Sequence, residues 1–413
     1  MAPIQQQDTL VLHKHHSPHP FFTPTRLEFT DPHSGGKAAQ WSSRRARKGR
    51  YAPKSHKIHY AGSGTGAEAS SSEVEKGAIS TRQGGDGKGT GEMQKMEKQT
   101  IGRIQKEETK FKPHLKADIS FWLAISFTLG SMVWVVNGYL VWFPVIRPAL
   151  DTEPIARSAA ATAFIGGSIF EIGAYLGVVE ALDRGREINF GTALGQVLHH
   201  RRNVPGHTNL KSDEIKSHSE PDSTNSSQVE PQPGPGQGQK SESALESDSE
   251  WPAEKKGFVW WGKPLWHDMG YLAAIVQMFA ATIFWVSTLT GLPGVIPGFS
   301  DGEGSKAIID IFFWTPQVIG GTGFIISSLI LMIEVQKKWW LPNLLEIGWW
   351  VGVWNLIGAI GFMLCGALGY SSNSGVVYQS GLSTFWGSWA FLLGSGCQVW
   401  EVIWREPTPT KKE

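Results

Sequence analysis

Residues 118–138 read DISFWLAISFTLGSMVWVVNG, and the same skeleton returns at 268–288 as DMGYLAAIVQMFAATIFWVST and at 346–366 as EIGWWVGVWNLIGAIGFMLCG. Each stretch opens on an acid (Asp118, Asp268, Glu346) with an aromatic three residues later (Phe121, Tyr271, Trp349). Gly130, Ala280 and Gly358 follow at twelve residues, Trp134, Phe284 and Phe362 at sixteen, and Gly138, Thr288 and Gly366 at twenty. A second segment repeats when counted back from Glu180, Glu334 and Glu401: Gly166, Gly320 and Gly387 at fourteen, Phe170, Phe324 and Phe391 at ten, Gly173, Ser327 and Gly394 at seven. A repeat of this kind predicts three copies of one helical hairpin, stacked so that each buries what it cannot bury alone.

The composition separates these hairpins from the rest of the chain. Mean hydropathy over the 413 residues is −0.18 and the net charge is +1, values that average two unlike materials. Residues 1–117 and 184–264 are rich in Ser, Gly, Pro, Gln, Lys, Glu and His; segments so poor in apolar runs are expected to stay disordered. Six apolar stretches, at about 118–143, 158–181, 268–291, 307–333, 346–369 and 382–403, are long enough for the roughly 20 helical residues that cross a bilayer core. The expected class is all-α: a polytopic membrane protein of six transmembrane helices in three parallel hairpins, at 118–183, 265–336 and 337–404, with a short tail at 405–413. No apolar core near Met1 suggests a signal peptide, and the basic run Arg44, Arg45, Arg47, Lys48, Arg50 lacks the apolar face of a mitochondrial presequence.

Lys and Arg beside the span ends set the orientation. One side has Lys110, Lys112, Lys116, Arg184, Arg186, Lys255, Lys256, Lys263, Lys337, Lys338 and Arg405; the other has Arg147, Arg157 and Lys306, diluted by acids. Both termini are therefore expected in the cytoplasm, in the plasma membrane or an endomembrane. Tryptophans such as Trp260, Trp266, Trp339 and Trp404 mark the inner belt, and Trp142 and Trp314 the outer one. The sequon at Asn225 would then face the cytosol, as would the acid-flanked serines Ser241, Ser243, Ser247 and Ser249, which resemble kinase sites. Cys365 and Cys397 fall at depths about 20 Å apart by helical rise, too far for a disulfide.

The repeated small residues of the second helices read as packing seams. The acids Asp118, Asp268 and Glu346 sit where the helix dipole is positive, and Glu180, Glu334 and Glu401 each have a base four residues on (Arg184, Lys338, Arg405) in the favourable i, i+4 order. A competing reading makes the six carboxylates a ring at the mouth of a pseudo-threefold bundle. Glu171 has no acidic counterpart in the other copies, where Ile325 and Leu392 stand; an ionisable group near mid-membrane is a functional-site hypothesis. With Gln277, Gln317 and Asn355 it makes up a candidate polar pathway. Pro316 should disturb the fourth span by freeing the carbonyl near Phe312.

Nothing points to an enzyme, a cofactor or nucleic-acid binding. Gly84–Thr90 lacks the Ser or Thr after Lys88 that a phosphate loop needs, and no paired C-x-x-C or H-E-x-x-H occurs. His13, His15, His16 and His19 are assigned to the disordered tail rather than to a metal, and Arg44–Arg50 to a patch for anionic lipid.

The hairpin unit, with Gly166-Gly-Ser-Ile-Phe170, Gly320-Gly-Thr-Gly-Phe324 and Gly387-Ser-Trp-Ala-Phe391 each followed by a glutamate, is similar to the YrhK-like two-helix membrane domain. The stretch Glu334–Phe362, with Trp339-Trp340-Leu341-Pro342 and Trp354-Asn355-Leu356-Ile357-Gly358, resembles a group of multi-pass membrane proteins from filamentous fungi. The likeness covers the six spans and implies an architecture, not an activity; the copy at 313–334 departs most, with Val318 where the others have Phe164 and Phe385. The P-x-[DE]-x-x-[KR] signature of mitochondrial carriers is absent. Two functions fit: transport or conduction of a small solute or ion, or a membrane scaffold or sensor that acts through its tails.

Overall fold

A computed structural model of the chain describes residues 9–31, 37–51, 57–60, 105–106, 110–183, 258–299 and 303–407. Arg184, Asn225 and the four serines at 241–249 lie outside them. Six long helices form the body: α2 (Ile119–Ile146), α3 (Glu153–Leu182), α4 (Met269–Thr290), α5 (Lys306–Val335), α6 (Ile347–Gly369) and α7 (Ser374–Ile403). The first five are long and apolar enough to cross a membrane, as a helical membrane protein requires; α7 has the length, but its many Ser and Gly residues keep it below that apolarity. Each helix packs on its neighbours in sequence and α7 packs on α2, so the six close into a ring.

Local chemistry sets the helix starts. Asp118 and Asp268 accept a hydrogen bond from the backbone N–H three residues on, Phe121 at 3.1 Å and Tyr271 at 3.0 Å, satisfying one of the free N–H groups of the first turn. In α5 the chain forms a π-helical turn at Asp310–Trp314 just before Pro316. The Phe312 carbonyl that proline leaves without its helical donor accepts instead from the Thr290 hydroxyl at 2.7 Å, the kind of repair that lets proline persist in apolar helices.

Positions that share a count from the acids meet in space. Trp134, Phe284 and Phe362 join Phe170, Phe324 and Phe391 in one buried cluster, together with Ala174, Ala280, Ala281 and Ala359. The glycines set the interhelix distance. A Cβ on Gly320 would lie 2.8 Å from the Ala280 carbonyl oxygen, and one on Gly321 only 2.7 Å from Met363 Cα, so α5 touches α4 and α6 backbone to backbone.

The amino-terminal region corrects the expectation of disorder across residues 1–117. Strands β1 (Thr9–His16), β2 (Arg26–Asp31), β3 (Lys37–Ser42), β4 (Lys57–Tyr60) and β5 (Gln105–Lys106) build a sheet in the order β4-β1-β2-β3-β5. The pairing is antiparallel except for β1 with β4. Leu27 and Phe29, then Ala39 and Trp41, alternate along their strands and meet across them. With Leu12, Ala46 and Tyr51 they make a separate core. Regional composition hides a period-2 pattern this short. His13 and His16 stand in β1, facing Thr30 and Glu28.

A short helix α1 (Ser43–Arg47) follows β3 directly. A further pair, β6 (Lys112–Pro113) with β7 (Trp404–Arg405), ties the approach to α2 to the exit from α7, so residue 405 is not the start of a free tail. The end of the expected insertion is also folded: the Tyr175 hydroxyl donates to the Trp260 carbonyl at 3.1 Å, and Phe258 and Trp260 pack near Leu123 and Leu176. Cys365 and Cys397 are free thiols.

The same substitution should act with opposite sign at two glycines. Gly321→Ala forces α5 off Met363 and is expected to lower thermal stability by roughly 1–3 kcal/mol, as overpacking does. Gly396→Ala meets nothing within 4 Å and should be neutral or stabilising by up to about 1 kcal/mol through helix propensity. Melting of the two purified variants in one detergent measures both.

Candidate functional site

The basic run does not lie on the surface, as its assignment to anionic lipid required. Arg44, Arg47, Lys48 and Arg50 are all buried, and α1 inserts the first three into one end of the helical ring. At i, i+3 and i+4 they share a face of a single helical turn. Arg44 binds Glu401 through two bonds of 2.9 and 2.8 Å, and Arg47 binds Glu334 through two of 2.8 and 2.7 Å. Lys48 reaches both oxygens of Glu180 at 3.1 and 3.0 Å. Three cations therefore meet the three closing glutamates, and Arg47 Nε also lies 3.6 Å from Glu180. Glu334 also accepts from the Ser43 hydroxyl at 2.7 Å and Glu180 from that of Ser120.

The spans make room for these side chains. Two residues after the opening acids stand Ser120, Gly270 and Gly348. A Cβ on Gly270 would fall 1.7 Å from the Arg47 guanidinium, and one on Gly348 2.4 Å from Arg44 Nε. Where the serine replaces glycine, the cation nearby is the slimmer Lys48. Burial alone would lower the Arg47 pKa, but the field of Glu334, with Glu180 and Glu401 behind it, outweighs that and raises it; Arg44 behaves alike on Glu401. For Lys48 burial prevails over the attraction of Glu180, and its pKa falls below the ordinary lysine value.

The opening acids have other partners. Arg405 binds Asp118, Arg45 and Arg26 converge on Glu346, and Asp268 caps α4. These pairs correct the i, i+4 reading. Glu334 takes Arg47 while Lys338 lies over the Trp340 ring, and Glu401 takes Arg44 while Arg405 crosses to Asp118. At Glu334 a guanidinium offering two bonds outcompetes Lys338, whose ammonium stays exposed, and at Glu401 the competing Arg405 is buried and spends its own two bonds on Asp118.

Beneath α1 lies a cavity of about 40 Å³. Its walls include two sets of like-counted residues: Phe127, Gln277 and Asn355, nine after the opening acids, and Gly177, Leu331 and Gln398, three before the closing glutamates. Seven residues further along the first helices, roughly 10 Å by helical rise, comes the aromatic block. Trp134, Phe284 and Phe362 touch one another in every pairing, with ring centroids 5.8, 4.7 and 5.5 Å apart. Phe391 packs on Phe362 and Phe170 at 5.3 and 5.6 Å. Beyond the block lies a second cavity of about 200 Å³.

The candidate pathway residues thus divide. Gln277 and Asn355 line the first cavity and Gln317 the second. Glu171 lines neither; it sits between α3 and α4, where Thr282 donates to it at 2.8 Å. Gln398 was legible as a polar group within a span but was not placed in the pathway, whereas Ser120, Gly270 and Gly348 were missed. Counting the repeat two residues inward from the opening acids would have found these three. Among the described residues no group of three or more His, Cys, Asp or Glu side chains could hold a metal. No family model matches the chain, nor does any curated protein or solved structure.

Two measurements test this mouth. Arg47→Gln leaves Glu334 buried without its guanidinium and should cost roughly 3–5 kcal/mol, whereas Arg47→Met with Glu334→Met should recover most of that loss; melting of the three proteins reads the difference. Tyr51 is held protonated, its pKa pushed by burial up to about 12. The stability this contributes is complete below pH about 10, where an unfolded tyrosine begins to ionise, and is lost as pH rises through 12. Ultraviolet titration against Tyr51→Phe should show one tyrosinate appearing that late.

Proposed function

We propose that the chain is a six-span membrane protein, three hairpins about a pseudo-threefold axis with both termini cytoplasmic, that passes a small solute or ion along this axis. In this reading its own amino-terminal helix α1 latches the inner mouth. One observation carries it: two cavities lined by like-counted residues lie on either side of an aromatic block, with a cationic helix closing the polar one. Helix packing in lipid needs small residues but has no use for Gln277, Asn355 and Gln398 around a shared void. The resemblance to the YrhK-like domain implies a hairpin unit of this kind and no particular activity.

The second reading, a scaffold or sensor that does not transport, draws on the six aromatics, which fill the axis in this state. Cysteine labelling separates the two. In a background with Cys365 and Cys397 replaced by alanine, Gln277→Cys and Asn355→Cys should be shielded from an impermeant maleimide supplied on the α1 face. Adding Arg44→Gln and Arg47→Gln should speed their labelling by about tenfold or more through a shift towards the open mouth, with Glu171→Cys unchanged. Solute entry into liposomes carrying the unlatched protein would complete the case for a pathway. Labelling without entry would establish the scaffold.

A further inference from the structure

The cavity beyond the aromatic block differs from the one under α1 in every respect that decides what it could hold. Among the residues lining it none is charged, so a charged solute would find no partner there. Its volume, about 200 Å³, exceeds the roughly 150 Å³ of an engineered apolar cavity that takes up benzene. Trp134, Phe284 and Phe362 form one wall, and Phe313 and Trp314 stand at another.

The space arises from inequality among the three copies. Counting back twenty-one and seventeen residues from the closing glutamates gives Phe313 and Gln317 in the second copy and Ser380 and Thr384 in the third, but only Ala159 and Ala163 in the first. All six line the cavity. The first copy thus supplies the room and the second supplies an amide. That amide is the informative group. Gln317 is 9% exposed, and its Oε1 atom is buried with no hydrogen-bond partner among the described residues. A buried carbonyl oxygen left unsatisfied is costly, and native structures seldom leave one without a purpose.

We infer that this cavity is a binding site for a small neutral aromatic molecule with one hydrogen-bond donor, of the size and chemistry of a phenol. The ring lies among Trp134, Phe284, Phe313 and Phe362, and the hydroxyl donates to Gln317 Oε1. The site exists in the latched bundle, so it goes beyond the transport reading and does not rest on it.

The experiment uses the full-length protein in detergent micelles with 4-fluorophenol and fluorobenzene as probes, followed by fluorine NMR. Saturable binding of 4-fluorophenol is expected, at least about tenfold tighter than fluorobenzene, because a site built around a hydrogen bond rejects the analogue that cannot make it. Gln317→Leu should bring the two probes within about twofold, and Ala163→Phe, which fills the space, should abolish binding. A readout on the unmutated chain does not depend on how the variants fold. Cys365 lines the cavity and Cys397 does not, so 4-fluorophenol should slow alkylation of Cys365 by a small uncharged maleimide and leave Cys397 unaffected. Probe uptake that never saturates, equal slowing of both thiols, or unchanged binding in folded Gln317→Leu and Ala163→Phe proteins would overturn the proposal.

Discussion

Three glutamates buried at the ends of helices cannot stay charged without partners, and the rest of the structure follows from how they find them. Glu180, Glu334 and Glu401 are at most 4% exposed. Desolvating a carboxylate costs several kcal/mol, and the bases four residues beyond Glu334 and Glu401 are engaged elsewhere, Lys338 over the Trp340 ring and Arg405 on Asp118. The counter-charges arrive from more than a hundred residues away on α1, whose single turn spaces Arg44, Arg47 and Lys48 to match the three acids. Gly270 and Gly348 then stand where they do because side chains there would collide with guanidinium groups. The amino-terminal segment and the helical ring are in this sense one electrostatic unit, and neither half is complete alone.

The closure propagates along the axis. Beneath the three cations the polar residues Gln277, Asn355 and Gln398 face a small cavity. The aromatic block behind them carries no charge and closes the axis a second time by packing alone. The two contacts differ in physical kind: buried ion pairs are screened little by salt, whereas the aromatic block is held by packing.

What was legible in the sequence was whatever recurs. The hairpin skeleton placed the helix ends within about five residues, except that α7 begins at Ser374, eight residues before its expected start, and it named the aromatics at 134, 284 and 362 and at 170, 324 and 391 that meet in the core. Gln277, Gln317 and Asn355 were found as polar groups in apolar helices. Glu171 was singled out for lacking acidic counterparts, yet a side chain without equivalents in the other copies has no reason to lie on an axis they share, and it bonds to Thr282 instead. The amino-terminal sheet was illegible because its strands are short and set in polar surroundings. The partners of the glutamates were hidden for another reason. An i, i+4 pair can be read along one helix, but a pairing between residue 47 and residue 334 depends on tertiary structure, and burial reverses which of the two is stronger.

The small sheet gives the latch a property that a free basic peptide would lack. Ala46 of α1 and Tyr51 just beyond it pack with Leu12, Leu27, Phe29 and Trp41, so the helix is mounted on a folded base rather than on a flexible tail. A base bonded to the ring at its margins, through Arg26 to the Val335 carbonyl and Thr23 to the His267 carbonyl, holds α1 close even when one ion pair breaks. Tethering converts rebinding into an intramolecular event, with an effective concentration in the millimolar range for short flexible links and higher where the link is stiff. Loss of a single pair therefore leaves α1 held by the other two, and it withdraws only when the three cations leave together. That cooperativity comes from rigidity, because α1 cannot withdraw Arg47 from Glu334 without also moving Arg44 and Lys48, which sit on the same turn.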